Sequence, residues 1–175
     1  IDLYLPQGMV RSYSLVNPQE ERHRYVIAVN RDAASRGGSA WVHNTLRAGS
    51  TLSIGAPRNN FPLAEAASHS VFIAGGIGIT PLWCMIQRLR ALGRSWELVY
   101  CARTRAHAAF RAELEALGPA VRFNFDGEPG GRMLDIAATV AAVPRDADLY
   151  CCGPVPMLEA FERAKERGAN VHLLG

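Results

Sequence analysis

The run Ala74-Gly75-Gly76-Ile77-Gly78-Ile79-Thr80-Pro81 has the residue types and spacing to receive a phosphate or a nicotinamide. An apolar stretch, Val71-Phe72-Ile73-Ala74, enters a tight glycine turn and leaves as a helix. Gly75, Gly76 and Gly78 let the backbone approach a ligand closely and adopt positive φ. Pro81, expected at a first helical position, presets φ and leaves the terminal N–H groups aimed at an anion. The spacing is Gly-Gly-x-Gly rather than G-x-G-x-x-G, so alone it admits a structural turn as well as a nucleotide site. A second junction of this kind lies at Cys152-Gly153-Pro154, which follows an apolar strand and opens a helix.

The elements that must hold these junctions change character along the chain. Residues 1–63 read as short strands, Ile1 to Leu5, Arg11 to Val16, Tyr25 to Val29 and Thr51 to Ile54, separated by Pro6-Gln7-Gly8, Asn17-Pro18 and Gly37-Gly38. That rhythm predicts a small antiparallel barrel, with Ala40 to Leu46 as a short helix presenting Trp41, Val42 and Leu46 on one face. Pro57 to Pro62 interrupts regular structure and Ala64 to Ser68 reads as a linker. From Val71 the pattern alternates, with strands at Val71 to Ala74, Glu97 to Cys101, Val121 to Phe125, Leu149 to Cys152 and Val171 to Leu174 and helices between. This predicts a parallel α/β sheet, and a division into residues 1–66 and 67–175. In its first helix Leu82, Met85, Ile86, Leu89 and Leu92 form one stripe that Gly93 ends; a last helix, Met157 to Arg167, closes at Gly168.

Composition removes several function classes. A chain of 175 residues, 49% hydrophobic and 20% charged, can bury a core and is not disordered. Its net charge of +3, without a dense basic run, gives no case for nucleic acid. No apolar stretch long enough to span a membrane and no leader-peptide layout is present, so the expected compartment is the cytoplasm. Cys84, Cys101, Cys151 and Cys152 lie in or beside apolar segments and read as reduced buried thiols. Their spacing fails the pattern of a plant-type [2Fe-2S] cluster, so no cluster and no other metal is expected within these residues.

Further motifs stand in order along the chain: Arg11-Ser12-Tyr13-Ser14-Leu15-Val16-Asn17, Arg24-Tyr25-Val26-Ile27-Ala28-Val29, Arg36-Gly37-Gly38-Ser39, Pro57-Arg58-Asn59-Asn60-Phe61-Pro62-Leu63 and Tyr150-Cys151-Cys152-Gly153-Pro154. With the glycine turn they resemble, over the whole length, the ferredoxin reductase superfamily, and within it the FMN-containing reductases of Rieske oxygenases. The resemblance implies a flavin-binding barrel, whose first part would precede Ile1, then an NAD(P)-binding α/β domain, then a [2Fe-2S] domain after Gly175. It implies an oxidoreductase that passes electrons from NADH through FMN to the [2Fe-2S] centre and on to a terminal Rieske non-haem iron oxygenase component.

The same resemblance gives residues their roles. Arg11 alone reads as an exposed strand arginine; the family's motif puts it at the flavin phosphate, where its planar fork and donors from Ser12, Gly37, Gly38 and Ser39 suit a dianion. Tyr13 and Ser14 fall at the isoalloxazine, with Ser14 donating toward the reactive edge. Ala28, Val29 and Asn30 line the ring, and Arg31 substitutes for a basic residue that relatives carry near Asn30. Thr80 bonds flavin and nicotinamide or caps its helix. Cys152, Gly153 and Pro154 close over the nicotinamide, with Cys152 positioning rather than attacking; Ser14, Thr80 and Cys152 are thus the residues nearest the chemistry. His23, His43, His69, His107 and His172 are dispersed and receive no catalytic role.

Two readings stay open. Cys101-Ala102-Arg103-Thr104-Arg105 follows the second parallel strand, where many NAD-binding folds place an acid, and Arg103 would suit the 2′-phosphate of NADPH. The reductases resembled here show a Thr-Arg pair there and use NADH, which favours NADH with NADPH as the alternative. Those relatives also carry an aromatic residue past the last strand, where Leu173-Leu174-Gly175 has none. The competing functions are an FAD-dependent NADPH ferredoxin or flavodoxin reductase and a non-redox nucleotide-binding module.

Overall fold

The computed structural model describes residues 1–165 and 170–175, and the chain divides into two compact units, Ile1–Asn60 and Phe61–Gly175. The division falls before the expected boundary at 66/67 because Phe61 already belongs to the second core. Its ring meets Tyr150 edge-on at 5.8 Å, and the Tyr150 hydroxyl accepts the backbone N–H of Ala64 (2.8 Å).

The first unit holds a three-stranded antiparallel sheet in the order β2-β1-β3, from β1 (Asp2–Tyr4), β2 (Val10–Ser12) and β3 (Ser53–Ile54), with helix α1 (Gly38–Thr45). Fewer residues are strand than the alternation predicts. Tyr25 to Val29 forms no strand and meets its neighbour through a single bridge, Leu15 to Ile27. The reason is Asn17. Its side-chain amide donates to the carbonyl of Arg24 (3.1 Å) and its oxygen accepts from Val26 N (2.9 Å), so a side chain does what a backbone ladder would otherwise do.

The second unit matches the sequence pattern closely. Strands β4 (Ser70–Gly75), β5 (Trp96–Ala102), β6 (Val121–Phe125), β7 (Asp148–Cys152) and β8 (Asn170–Leu174) pair in parallel in the order β6-β5-β4-β7-β8. Every residue of β4 and β7 is buried, as expected for strands covered on both faces. On one face α2 (Ile79–Ala91) lays Leu82, Met85, Ile86 and Leu89 against Phe72, Leu98, Tyr100 and Tyr150, and α3 (Arg111–Glu115) adds Leu114. On the other, α4 (Ile136–Ala141) and α5 (Val155–Lys165) bring Ile136, Val140 and Phe161 onto Val71, Ile73, Leu149 and Cys151. Each fully buried aliphatic side chain of the α2 stripe contributes about 1.5–3 kcal/mol.

Two expectations for α2 change. Leu92 is 39% exposed because it follows the last helical residue, where Gly93 turns the chain at φ +64°. Pro81 is the third helical residue rather than the first, since the short 3-10 turn Gly76–Gly78 runs directly into α2. That position still lies in the first turn, where a missing N–H costs no intrahelical bond. The expected closure of α5 at Arg167 and Gly168 lies outside the described residues.

Candidate functional site

Strand order creates a switch point between β4 and β7: the chain runs from β4 to β5 and β6 on one side, then returns to β7 and β8 on the other. In open α/β sheets the crevice outside the carboxyl ends of the strands at this point is where ligands bind. Both singled-out junctions lie there, the glycine turn at the end of β4 and Cys152-Gly153-Pro154 at the end of β7, joined by the register pair Ala74 to Cys152.

The two turns interlock through their missing side chains. A Cβ on Gly78 would lie 2.2 Å from the Cys152 carbonyl oxygen, and one on Gly75 would meet Pro154 Cδ at 2.6 Å and Met157 Sδ at 2.9 Å. A Cβ on Gly153 would meet Met157 Sδ at 2.7 Å and Gly75 Cα at 3.1 Å. Gly76 alone needs glycine for conformation, at φ +53° with open space around its Cβ position. Beneath the turn the Tyr100 hydroxyl donates to the Gly76 carbonyl (3.0 Å) and accepts from Ala109 N (3.0 Å); burial pushes this phenol up to about 12.

Thr80 is buried, 6% exposed, and its hydroxyl donates to the Ile77 carbonyl (3.0 Å). It therefore braces the turn and does not cap the helix, leaving its oxygen as an acceptor. Cys152 is buried and its thiol is pushed up to about 11 by burial, which keeps it protonated and unreactive at neutral pH. Pro81 is buried and Pro154 exposed.

In the first unit the structure brings Arg11 and the N-terminus of α1 together. Gly37, at φ +94°, turns the chain into α1, and a Cβ on Gly38 would collide with the Arg11 side chain, 2.7 Å from Nε and 2.8 Å from Cγ. Without that Cβ, Arg11 lies over the α1 N-terminus, where its guanidinium donates to the carbonyls of Val10 (2.8 Å) and Arg36 (3.5 Å). A cation over helix-terminal N–H groups is the donor set a phosphomonoester needs. The residues present fit such a group.

Other predicted residues are placed differently. The Ser12 hydroxyl donates to Asp2 Oδ1 (2.6 Å), and Arg58 donates to Asp2 Oδ2 (2.6 Å). Together they hold the Asp2 carboxyl below its ordinary range, the Ser12 hydrogen bond first. Ser39 Oγ accepts from Asp32 N (3.3 Å). Tyr13 and Ser14 are half-buried, and burial raises the Tyr13 phenol above its ordinary value. Ala28 and Val29 are half-buried, whereas Asn30 and Arg31 are exposed. His43, given no role by the sequence, donates from Nε2 to the Val29 carbonyl (2.7 Å) and so ties α1 to that segment. His43, Asp2 and Met157 act on predicted residues across sequence gaps that no local pattern signals. Arg103 lies exposed at the end of β5.

An antiparallel unit together with a doubly wound parallel sheet, its glycine turn at the switch point, is the ferredoxin reductase-like fold. Residues 72–126 match the family described as oxidoreductase NAD-binding domain. The chain is homologous to phenoxybenzoate dioxygenase subunit beta of Ectopseudomonas oleovorans, 58% identical over 94% of this chain and 51% of that protein. It is 47% identical to vanillate O-demethylase oxidoreductase of Pseudomonas putida over 96% of this chain and 54% of that one. Phthalate dioxygenase reductase, whose structure is described as modular for electron transfer from pyridine nucleotides to [2Fe-2S], superposes with a TM-score of 0.90 at 34% identity, over 99% of this chain and 56% of that chain. The chain thus spans about half the length of the curated relatives it matches. Among the described residues no helix is long and apolar enough to cross a membrane.

Proposed function

We propose that this chain is the flavin- and nicotinamide-binding part of a cytoplasmic reductase that takes electrons from NADH through FMN to a [2Fe-2S] centre, and thence to a Rieske-type aromatic oxygenase or O-demethylase. The unit Ile1–Asn60 is read as the FMN domain and Phe61–Gly175 as the NAD(P) domain, with the [2Fe-2S] domain expected after Gly175. The observation that carries this reading is the pair of glycine turns interlocked at the switch point, in a chain similar to reductase subunits of such systems.

The chain's own residues bind and orient. The close-packed turns hold backbone groups at the strand ends, where N–H donors and the first turn of α2 favour an anionic dinucleotide. Arg11, Gly37 and Gly38 favour a terminal phosphomonoester, which supports FMN over FAD; Tyr13, Ser14, Ala28, Val29, Asn30 and Arg31 are proposed along the flavin. Thr80 keeps an acceptor near the nicotinamide site, and protonated Cys152 supplies shape and polarisability rather than attack. FMN, when bound, supplies hydride acceptance and single-electron release, so the chain needs no acid–base triad of its own.

The test is extraction of the flavin from purified full-length protein, identified by mass, followed by anaerobic addition of NADH. FMN that bleaches is the expected result. FAD would move the assignment to a ferredoxin or flavodoxin reductase, and a protein that binds no flavin on reconstitution would leave a nucleotide-binding module.

A further inference from the structure

The carboxyl ends of β5 and β6 carry an arrangement that the turn motifs do not explain. The pairing of Ala102 with Phe125 continues beyond the strands, with Asp126 N donating to the Ala102 carbonyl (3.3 Å) and Gly127 N to the Arg103 carbonyl (2.8 Å). Arg103 and the Asp126-Gly127-Glu128 loop are therefore held side by side. The loop is pressed onto the strand ends by two glycines: a Cβ on Gly127 would lie 2.7 Å from the Arg103 carbonyl oxygen, and one on Gly131 would lie 2.2 Å from that of Phe125.

The two arginines after β5 have different fates. Arg105 is held three ways by this loop and strand. Its backbone N–H donates to Glu128 Oε1 (2.8 Å), its guanidinium pairs with Glu128 Oε2, and its Cζ sits 5.0 Å over the Phe125 ring. Its charge is paired with Glu128 while the side chain stays 59% exposed. Arg103 is exposed as well, and it makes no ion pair among the described residues. Beside it, Asp126 Oδ1 is the one buried side-chain polar atom without a hydrogen-bond partner among the described residues. A buried acceptor of this kind is costly until a donor reaches it.

We propose that this loop sets the choice of dinucleotide: Asp126 accepts a hydrogen bond from an unmodified adenosine ribose hydroxyl, and Glu128 withholds Arg105 from a 2′-phosphate, so that NADH is selected over NADPH. A ribose hydroxyl is a donor and satisfies Asp126. A 2′-phosphate dianion has no proton to give at neutral pH and meets two carboxylates, with only Arg103 in its favour. The acid that many NAD-binding folds carry after the second strand is here supplied by the third, which explains how Arg103 and Arg105 coexist with selection of NADH. The inference rests on the reductase reading.

The test is calorimetric titration of the full-length flavoprotein with NAD+ and with NADP+, which reads binding without turnover. Wild type should bind NAD+ at least about tenfold more tightly, the effect of one hydrogen bond to a charged group. Glu128→Gln should tighten NADP+ roughly tenfold with NAD+ little changed, Glu128→Gln with Arg105→Ala should lose that gain, and Asp126→Asn should weaken NAD+ roughly tenfold. Equal or tighter NADP+ binding by wild type overturns the proposal even where a variant fails to fold. So does an unchanged ratio of NADP+ to NAD+ affinity in folded Glu128→Gln or Asp126→Asn. Flavin bleaching by NADH with no preference in binding would sink this inference alone, whereas binding of neither nucleotide would sink the reductase reading with it.

Discussion

Arg11 reaches the N-terminus of α1 only because residue 38 has no side chain, so the cation and the glycine form one device. Arg11→Ala should weaken FMN by about 1.5–3 kcal/mol, roughly tenfold to hundredfold, measured by fluorescence titration of the apoprotein. Arg11→Lys should recover only part of this, since a point charge lacks the planar fork. Retention of wild-type affinity by Arg11→Ala would remove the phosphate assignment. At this scale the sequence is legible where one residue type has one use, as at Gly78, and opaque where function depends on a partner elsewhere. Ser12 illustrates the opaque case: its type suits a phosphate donor, yet its hydroxyl is turned to Asp2, and nothing local announces that acid. Asp126, Glu128 and Arg105 are opaque for the same reason, meeting only once β5 and β6 are paired.

Elements are legible to the degree that hydrophobic burial alone determines them. The five parallel strands lie within a residue or two of the runs that predict them, and at β4 and β7 both faces are covered and the runs are continuous. The first unit is harder, since its backbone is satisfied partly by Asn17 and a period of two misreads such a segment as a strand. The interlocked turns give the sharpest prediction for an element. Gly78 has ordinary helical φ, −60°, so Gly78→Ala carries no backbone strain; its Cβ must instead displace the Cys152 carbonyl. We expect a loss of about 1–3 kcal/mol in stability, by urea denaturation, together with weaker nucleotide binding. Gly76→Ala reverses the cause, with free space but φ +53°, and should cost about 1 kcal/mol. Equal, negligible effects from both would mean that the turns do not brace each other.

For the molecule as a whole, ionisation inside the second unit makes its stability sensitive to base. Burial pushes the thiols of Cys101 and Cys151 up to about 12, helped at Cys101 by the Asp126 carboxylate, and that of Cys152 to about 11, from an ordinary value of 9.0. The phenol of Tyr100 rises likewise to about 12 from 10.0. The folded chain binds these protons more tightly than the unfolded one, so their contribution is complete below pH 9 and is lost as pH rises from about 9 to 12. Urea midpoints measured across that range should fall, and the four cysteines, all free, should divide, with Cys151 and Cys152 reacting with a thiol reagent only as the unit opens. A midpoint flat to pH 11 would contradict this.

Where an experimenter cuts this chain to study its second unit alone will decide what is recovered. A piece starting at residue 67 omits Phe61, which edges onto Tyr150, and Ala64, whose N–H the Tyr150 hydroxyl accepts. Tyr150 also stacks on Phe72 at 5.2 Å and on His172 at 4.4 Å, so one ring links the opening segment, the central strand and the sheet edge. A piece starting at Phe61 keeps that clasp. It should melt several degrees above the shorter one, the shift that a difference of about 1–2 kcal/mol gives a domain of this size, and near-ultraviolet circular dichroism should show the tyrosine signal sharpened only in the longer piece.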